Sequence, residues 1–264
     1  MSERTPWALI LGASSGFGAA TAKALARAGM NVIGVHFDMR ATLPLAKAVQ
    51  AEIEGMGRQA LFFNKDAVKE ENRQEIVAGI AERFADGQHT VKVLLHSIAW
   101  GTLKPFIHED PKQRIAAKDM SMTLDAMANS LVYWTQDLLD KGWMHEGARI
   151  FGMTSAGSHR VWTSYGAVSA AKAALESHCR QLALELAPRK ITANAIQAGV
   201  TDTPALRKIP GSAGMVERAM QINPTGRLTT PEDVAAAVVQ LCHQDLSFLT
   251  GNTIRVDGGE DNVS

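Results

Sequence analysis

The order of the hydrophobic segments constrains this chain more than any other feature. Seven short apolar runs, at residues 7–11, 31–35, 60–63, 91–96, 149–153, 191–196 and 253–256, are separated by amphipathic stretches or long connections. Short, continuously apolar runs of this kind are the signature of strands buried on both faces of a sheet. The segments at 16–28, 41–56, 69–84, 119–139, 164–187 and 231–243 instead repeat their apolar residues at helical spacing. Pro188, directly after the fifth of these, is a stop signal. Strand and helix alternating from end to end predict an α/β fold: a doubly wound parallel sheet of about seven strands with helices on both faces.

No internal repeat, low-complexity tract or Pro/Gly-rich linker divides the 264 residues, so a single domain over 1–264 is expected. The least regular stretch begins at 198, where Pro204, Pro210, Gly211 and Gly214 fall between a strand and the next helix. Ligands of doubly wound sheets bind outside the carboxyl ends of the strands, which makes residues 198–222 a candidate substrate lid. An ordinary surface loop is the alternative.

Basic and acidic residues balance at 27 each, so nothing in the overall charge points to nucleic acid or an anionic membrane surface; a small ligand is expected. Cys179 and Cys242 lie apart in apolar helical patterns, without the spacing of a disulfide framework or a metal site. With no signal-type apolar run near Met1 and no stretch as long as a membrane span, a cytoplasmic location is expected.

Gly12-Ala13-Ser14-Ser15-Gly16-Phe17-Gly18 follows the first strand and opens the first helix. Glycines there permit a tight turn and close backbone approach, while the helix N-terminus offers unpaired N–H groups to a pyrophosphate. The residues after the second strand decide which dinucleotide fits, because an acid accepts bonds from the adenosine 2'-hydroxyl whereas Arg pairs with a 2'-phosphate. That run is Val35-His36-Phe37-Asp38-Met39-Arg40. His36 stands at the strand end and Arg40 within reach, which favours NADPH over NADH; Asp38 is the competing reading.

Tyr165 and Lys172 are seven residues apart on the fifth predicted helix. At about 100° per residue, positions i and i+7 share a face, so a phenol and an ammonium serve one pocket. Reduction by a nicotinamide needs a group that stabilises the oxygen on which charge appears, and a tyrosine made more acidic by a nearby lysine meets that need.

Together these features resemble the short-chain dehydrogenase/reductase superfamily. The resemblance covers the glycine loop, Asp66-Ala67, Asn129, Ser155, the Tyr/Lys helix and Asp257-Gly258-Gly259. It implies a Rossmann-like sheet, usually in a homotetramer. It also implies that Asp66 and Ala67 hold the adenine, and that Ser97, Ile98 and Ala99, with Val200, Thr201 and Thr203, lie along the dinucleotide. In common members the tyrosine stands four residues before the lysine, with a serine thirteen residues before the tyrosine. Here Val168 occupies the tyrosine position and Ser155 the serine position; only the phenol has moved.

Tyr-x-x-x-x-x-x-Lys resembles the enoyl-acyl-carrier-protein reductases, as does His96-Ser97-Ile98-Ala99, and the region from Ala173-Ala174-Leu175-Glu176 through Thr225-Gly226-Arg227 resembles their NADPH-dependent branch. The resemblance to their NADPH-dependent branch implies reduction of the 2,3 double bond of an enoyl thioester on acyl carrier protein or coenzyme A. Hydride goes to the β carbon, and charge appears further away, on the thioester oxygen, which suits a phenol set back by about a turn of helix. Most enoyl reductases carry an aromatic residue ten positions before the catalytic tyrosine, where this chain has Ser155; the NADPH-dependent branch also lacks it. Ser155 and Asn129 are shared with ketone reductases, so a 3-ketoacyl or other carbonyl reductase is the alternative. A non-catalytic nucleotide-binding regulator is the third reading.

Overall fold

The computed structural model describes residues 4–263. Seven strands, β1 (Thr5–Leu11), β2 (Asn31–His36), β3 (Ala60–Asn64), β4 (His89–His96), β5 (Arg149–Ser155), β6 (Thr192–Ala198) and β7 (Thr253–Val256), form one sheet in the order β3-β2-β1-β4-β5-β6-β7. All six pairings are parallel. The chain winds outward from β1 to β3, crosses back to β4 beside β1, and winds outward again. The switch between β1 and β4 is where such a sheet opens a crevice for ligand.

Side chains alternate along each strand, so a strand buried on both faces feeds two separate cores. Trp7, Leu9 and Leu11 of β1 pack with Ile76 and Ile80 of α3 (Glu70–Arg83), Leu131 and Trp134 of α5 (Ser130–Asp140), and Leu175 and Cys179 of α6 (Gly166–Leu186). Ala8 and Ile10 point the other way, toward Ala22 and Leu25 of α1 (Gly16–Arg27), Ile53 of α2 (Leu43–Gly55) and Val234 of α8 (Pro231–Leu241). Every apolar run read from the sequence is a strand, with no end moved by more than two residues.

Two helical readings change. The stretch at 119–139 is two α-helices, α4 (Ala117–Leu124) and α5, joined by a π turn at Asp125–Asn129. Thr123, Ser130 and Thr135 each turn a hydroxyl back onto the carbonyl four residues earlier, a bond that bends helices and competes with the regular ladder. The second change is an added helix, α7 (Ser212–Ile222), inside the lid segment. Met215, Ala219 and Ile222 of α7 recur at helical spacing and line the cavity, but Pro210, Gly211 and Gly214 at its start read as loop in the sequence.

Thr225-Gly226-Arg227 is structural in this fold. Arg227 forks onto both oxygens of Asp233 at 2.6 and 2.9 Å, while Thr230 and Asp233 close a capping box on the first turn of α8. The guanidinium beside Asp233 holds its carboxyl below the usual range.

Candidate active site

A cavity of about 530 Å³ opens at the carboxyl ends of β4, β5 and β6. Each predicted element contributes to it differently. Strand β5 delivers Ser155, α6 delivers Tyr165, Val168 and Lys172, the turn after β4 delivers Ser97, Ile98 and Ala99, and the segment after β6 delivers Val200, Thr201 and Thr203. Phe17 of the glycine loop reaches it as well.

Tyr165 is placed by local strain. Ser164 has φ 60°, the left-handed region that costs a non-glycine residue about 1–2 kcal/mol. That kink turns the chain so that Tyr165 is the N-cap of α6 and its ring lies over Gly157. A methyl group on Gly157 would stand 2.5 Å from the ring edge and 3.2 Å from the Ser155 hydroxyl. Gly157→Ala is therefore expected to push the phenol out of line and lower kcat/KM by about 100-fold, with the melting temperature and dinucleotide affinity near wild type. Steady-state kinetics beside a thermal melt checks this.

The electrostatics centre on Lys172, which is buried and donates to the Met153 carbonyl at 2.5 Å. Desolvation pulls its pKa down to about 8, against the raising effect of Glu176 one turn along α6. Glu176 is itself held by the Thr154 hydroxyl at 2.6 Å. Burial raises the pKa of Tyr165, opposed by the Ser155 hydroxyl close by; that hydroxyl is buried without a well-formed hydrogen bond to protein.

His96 is fully buried, and burial, then the charge of Lys172, push its pKa down to about 3. Ser130 donates its hydroxyl to the Ala126 carbonyl, so at 2.8 Å it accepts from His96 Nε2–H. The imidazole is thus neutral, and its Nδ1 lone pair is buried without a partner.

The glycine loop fits a dinucleotide. Gly12 has φ 93°, and a side chain there would meet the Ser97 carbonyl oxygen at 2.6 Å. Ser15 caps α1 without a side-chain hydrogen bond, and no acidic residue occupies the first turn, so the N–H groups and the positive helix end are left for an anion. Ser14 and Gly18 belong to the same loop, and the Thr203 side chain packs 3.6 Å from the position of a Gly16 side chain, joining the lid root to the loop. Asp66 accepts from the Val68 N–H at 3.0 Å, and the Ala67 carbonyl is pinned by the Trp134 indole at 2.9 Å.

Asn129, His36 and Arg40, read from the sequence as site residues, are not among the residues that line the cavity. Asn129 donates to Asp125 at 2.8 Å, faces His178 at 3.0 Å and does not line the cavity. His36 is buried and bonded to Asp38 at 2.8 Å, and Arg40 is exposed with no ion pair among the described residues. Asp38 stands beside Ser14 of the glycine loop. Two bonds to Asn64, at 2.8 and 3.0 Å, lock its backbone, and hydrogen bonds from Thr42, Ser14 and His36 outweigh desolvation and lower its pKa. The sequence showed Asp38; that Asn64 would aim it at the glycine loop depends on the β2–β3 register.

Comparison with known proteins agrees with this geometry. A family model described as Enoyl-(Acyl carrier protein) reductase matches residues 12–260. The chain is 28% identical to the 1-cyclohexenylcarbonyl-CoA reductase of Streptomyces collinus, over 98% of this chain and 88% of that protein. It is also 28% identical to a 3-oxoacyl-[acyl-carrier-protein] reductase of Aggregatibacter actinomycetemcomitans, over 95% and 97%. The solved enoyl-[acyl-carrier-protein] reductase (NADH) of Aquifex aeolicus VF5 superimposes with a TM-score of 0.80 at 25% identity, covering 98% of this chain and 97% of that one. No helix among the described residues is long and apolar enough to cross a membrane. With the glycine loop, the buried lysine and the matched family model in agreement, the chain belongs to the short-chain dehydrogenase/reductase superfamily, in the family of that enoyl reductase model, and is an oxidoreductase.

Proposed function

We propose that this protein reduces the 2,3 double bond of an enoyl thioester. One observation carries the reading: Tyr165 is the only phenol on the cavity, while Val168, where a ketone reductase has its tyrosine, is packed against Met127 and Ala171. The other tyrosine of the chain, Tyr133, lies on α5 and does not line the cavity. The dinucleotide, when bound, supplies the hydride. Tyr165 donates a hydrogen bond to the thioester oxygen as charge builds there, and the enolate then takes a proton from solvent at the α carbon to complete the reduction. Lys172, cationic below pH about 8, lowers the cost of that donation and holds the nicotinamide ribose. Trp100, Leu103, Trp162 and Leu206 give the acyl chain an apolar wall. Lys208 and Arg218, also on the cavity, suit the phosphate of a carrier or coenzyme A handle. Assembly as a homotetramer belongs to the same reading.

The test is oxidation of reduced dinucleotide in the presence of crotonyl and longer enoyl thioesters. Brisk ketone reduction with no enoyl turnover would overturn the proposal. The carbonyl-reductase reading is supported by the Ser155 hydroxyl, buried beside Tyr165, and by the resemblance to a 3-oxoacyl reductase. It requires Ser155→Ala to lose most activity; for an enoyl reductase the loss is modest.

For the coenzyme, Asp38 shifts the reading from NADPH to NADH. A locked carboxylate beside Ser14 accepts bonds from ribose hydroxyls and repels a 2'-phosphate. Asp38→Asn is expected to raise kcat/KM with NADPH relative to NADH by about tenfold. An unchanged ratio removes Asp38 from coenzyme selection.

A further inference from the structure

The short turn after β7 makes contacts that neither the fold nor the proposed chemistry requires. Gly258 and Gly259 have φ 64° and 86°, and the Asp257 carboxylate folds the turn by accepting from Gly259 N–H at 2.9 Å and from Asp261 N–H at 3.1 Å. The turn thereby presents Glu260 and Asp261 side by side, both on the rim of the cavity.

Glu260 is 8% exposed. Its carboxylate accepts from the Val200 N–H through both oxygens, at 3.1 and 3.3 Å, and from the Asn223 amide at 3.4 Å. Val200 and Asn223 are the two ends of the lid: the first follows β6, and the second ends α7 just before Pro224. The Asn223 amide also donates to the Asp257 carbonyl at 2.9 Å, so both roots of the lid are tied to one turn.

Asp261 faces the opposite wall. Its side chain, 3% exposed, is paired with Arg160 at 2.7 Å, His159 at 2.9 Å and Arg255 at 3.2 Å, and accepts from Gln197 at 2.9 Å. Arg160 returns a bond to the Asp261 carbonyl at 2.9 Å. His159 and Arg160 belong to the loop that runs through Trp162 into Tyr165, and Trp162 in turn donates to the Pro210 carbonyl of the lid at 3.1 Å.

We propose that residues 257–261 are the positioning element of the cavity, with Glu260 holding both roots of the lid and Asp261 holding the loop that leads into the catalytic tyrosine. The two acids are positioning residues that set how far the two walls stand apart. The kinetic consequence rests on the enoyl-reductase reading; the mechanical one does not.

Hydrogen–deuterium exchange of the protein without substrate separates the two. Glu260→Ala should speed amide exchange in residues 200–223 by about tenfold or more while leaving 156–165 near wild type. Asp261→Ala should do the reverse. Glu260→Gln keeps an oxygen to accept from Val200 N–H and should restore most of the protection, which a mere requirement for charge would not allow. With an enoyl thioester, both alanine variants should raise KM by a larger factor than they lower kcat. Unchanged exchange in the assigned segment, or an equal rise across β4, β5 and β6, overturns the proposal; the second result would make the turn a general stabiliser. If Glu260→Ala does not fold, Asn223→Ala, which cuts only the far root, must still loosen 212–223. Expected exchange without enoyl turnover would sink the functional reading and leave the clamp standing.

Discussion

Tyr165→Phe is expected to lower kcat for an enoyl thioester by about 10²- to 10⁴-fold, the span associated with losing one positioned proton donor. The substitution deletes a single oxygen. The ring stays over Gly157 and Ser164 keeps its strained turn, so dinucleotide binding and melting temperature should barely move. Stopped-flow reduction alongside a binding titration checks both halves. Retained turnover would show that the charge on the thioester oxygen is met elsewhere, and Ser155 would be the next group to examine.

Lys172→Met should cost about 10²- to 10³-fold in kcat/KM, because it removes the cation that favours charge on the substrate oxygen. It should also weaken dinucleotide binding, which Tyr165→Phe does not. A pH signature distinguishes it from simple damage. Desolvation takes Lys172 from an ordinary 10.5 down to about 8, so in the free enzyme kcat/KM should fall as pH rises through about 8 and the ammonium is lost. Tyr165, whose pKa is raised by burial, does not titrate in that window.

Stability runs the opposite way. Between pH about 8 and 10.5 the unfolded chain holds a proton on this lysine that the folded chain has shed, so folding gains stability with rising pH, on the order of 3 kcal/mol from this one group. The comparison must be with Lys172→Met, since other groups titrate nearby. A wild-type curve parallel to the variant's across that window would contradict the assigned burial.

Much of this architecture was legible in the chain because its signals are local. The β1 run reads as a two-faced strand directly, since Trp7 and Leu9 feed one core and Ala8 and Ile10 the other. The glycine loop and the Tyr165–Lys172 spacing are likewise contained within a few turns. What escaped depends on distant neighbours. The place of Asp38 beside the glycine loop rests on Asn64, twenty-six residues away and brought there by strand register. Asn129 ends a π turn that helical periodicity does not encode, and the turn directs its amide to Asp125 and His178. The lid helix α7 is masked by Pro210, Gly211 and Gly214, which read as loop, and the contacts of Glu260 and Asp261 exist only once β7 lies beside β6.

The packing around Val168 has a consequence for how such an enzyme changes its reaction. Gly101 sits so close that a methyl group on it would stand 3.0 Å from both the Val168 side chain and the Met127 sulfur. Val168 lines the cavity as well, so this niche closes one side of the residue and leaves the other open toward Tyr165. A ring introduced at position 168 has room only on that open side, where it would share the cavity with the existing phenol. The two registers compete for one volume, so a change of reaction on this helix turns on which phenol is given up as much as on which is gained.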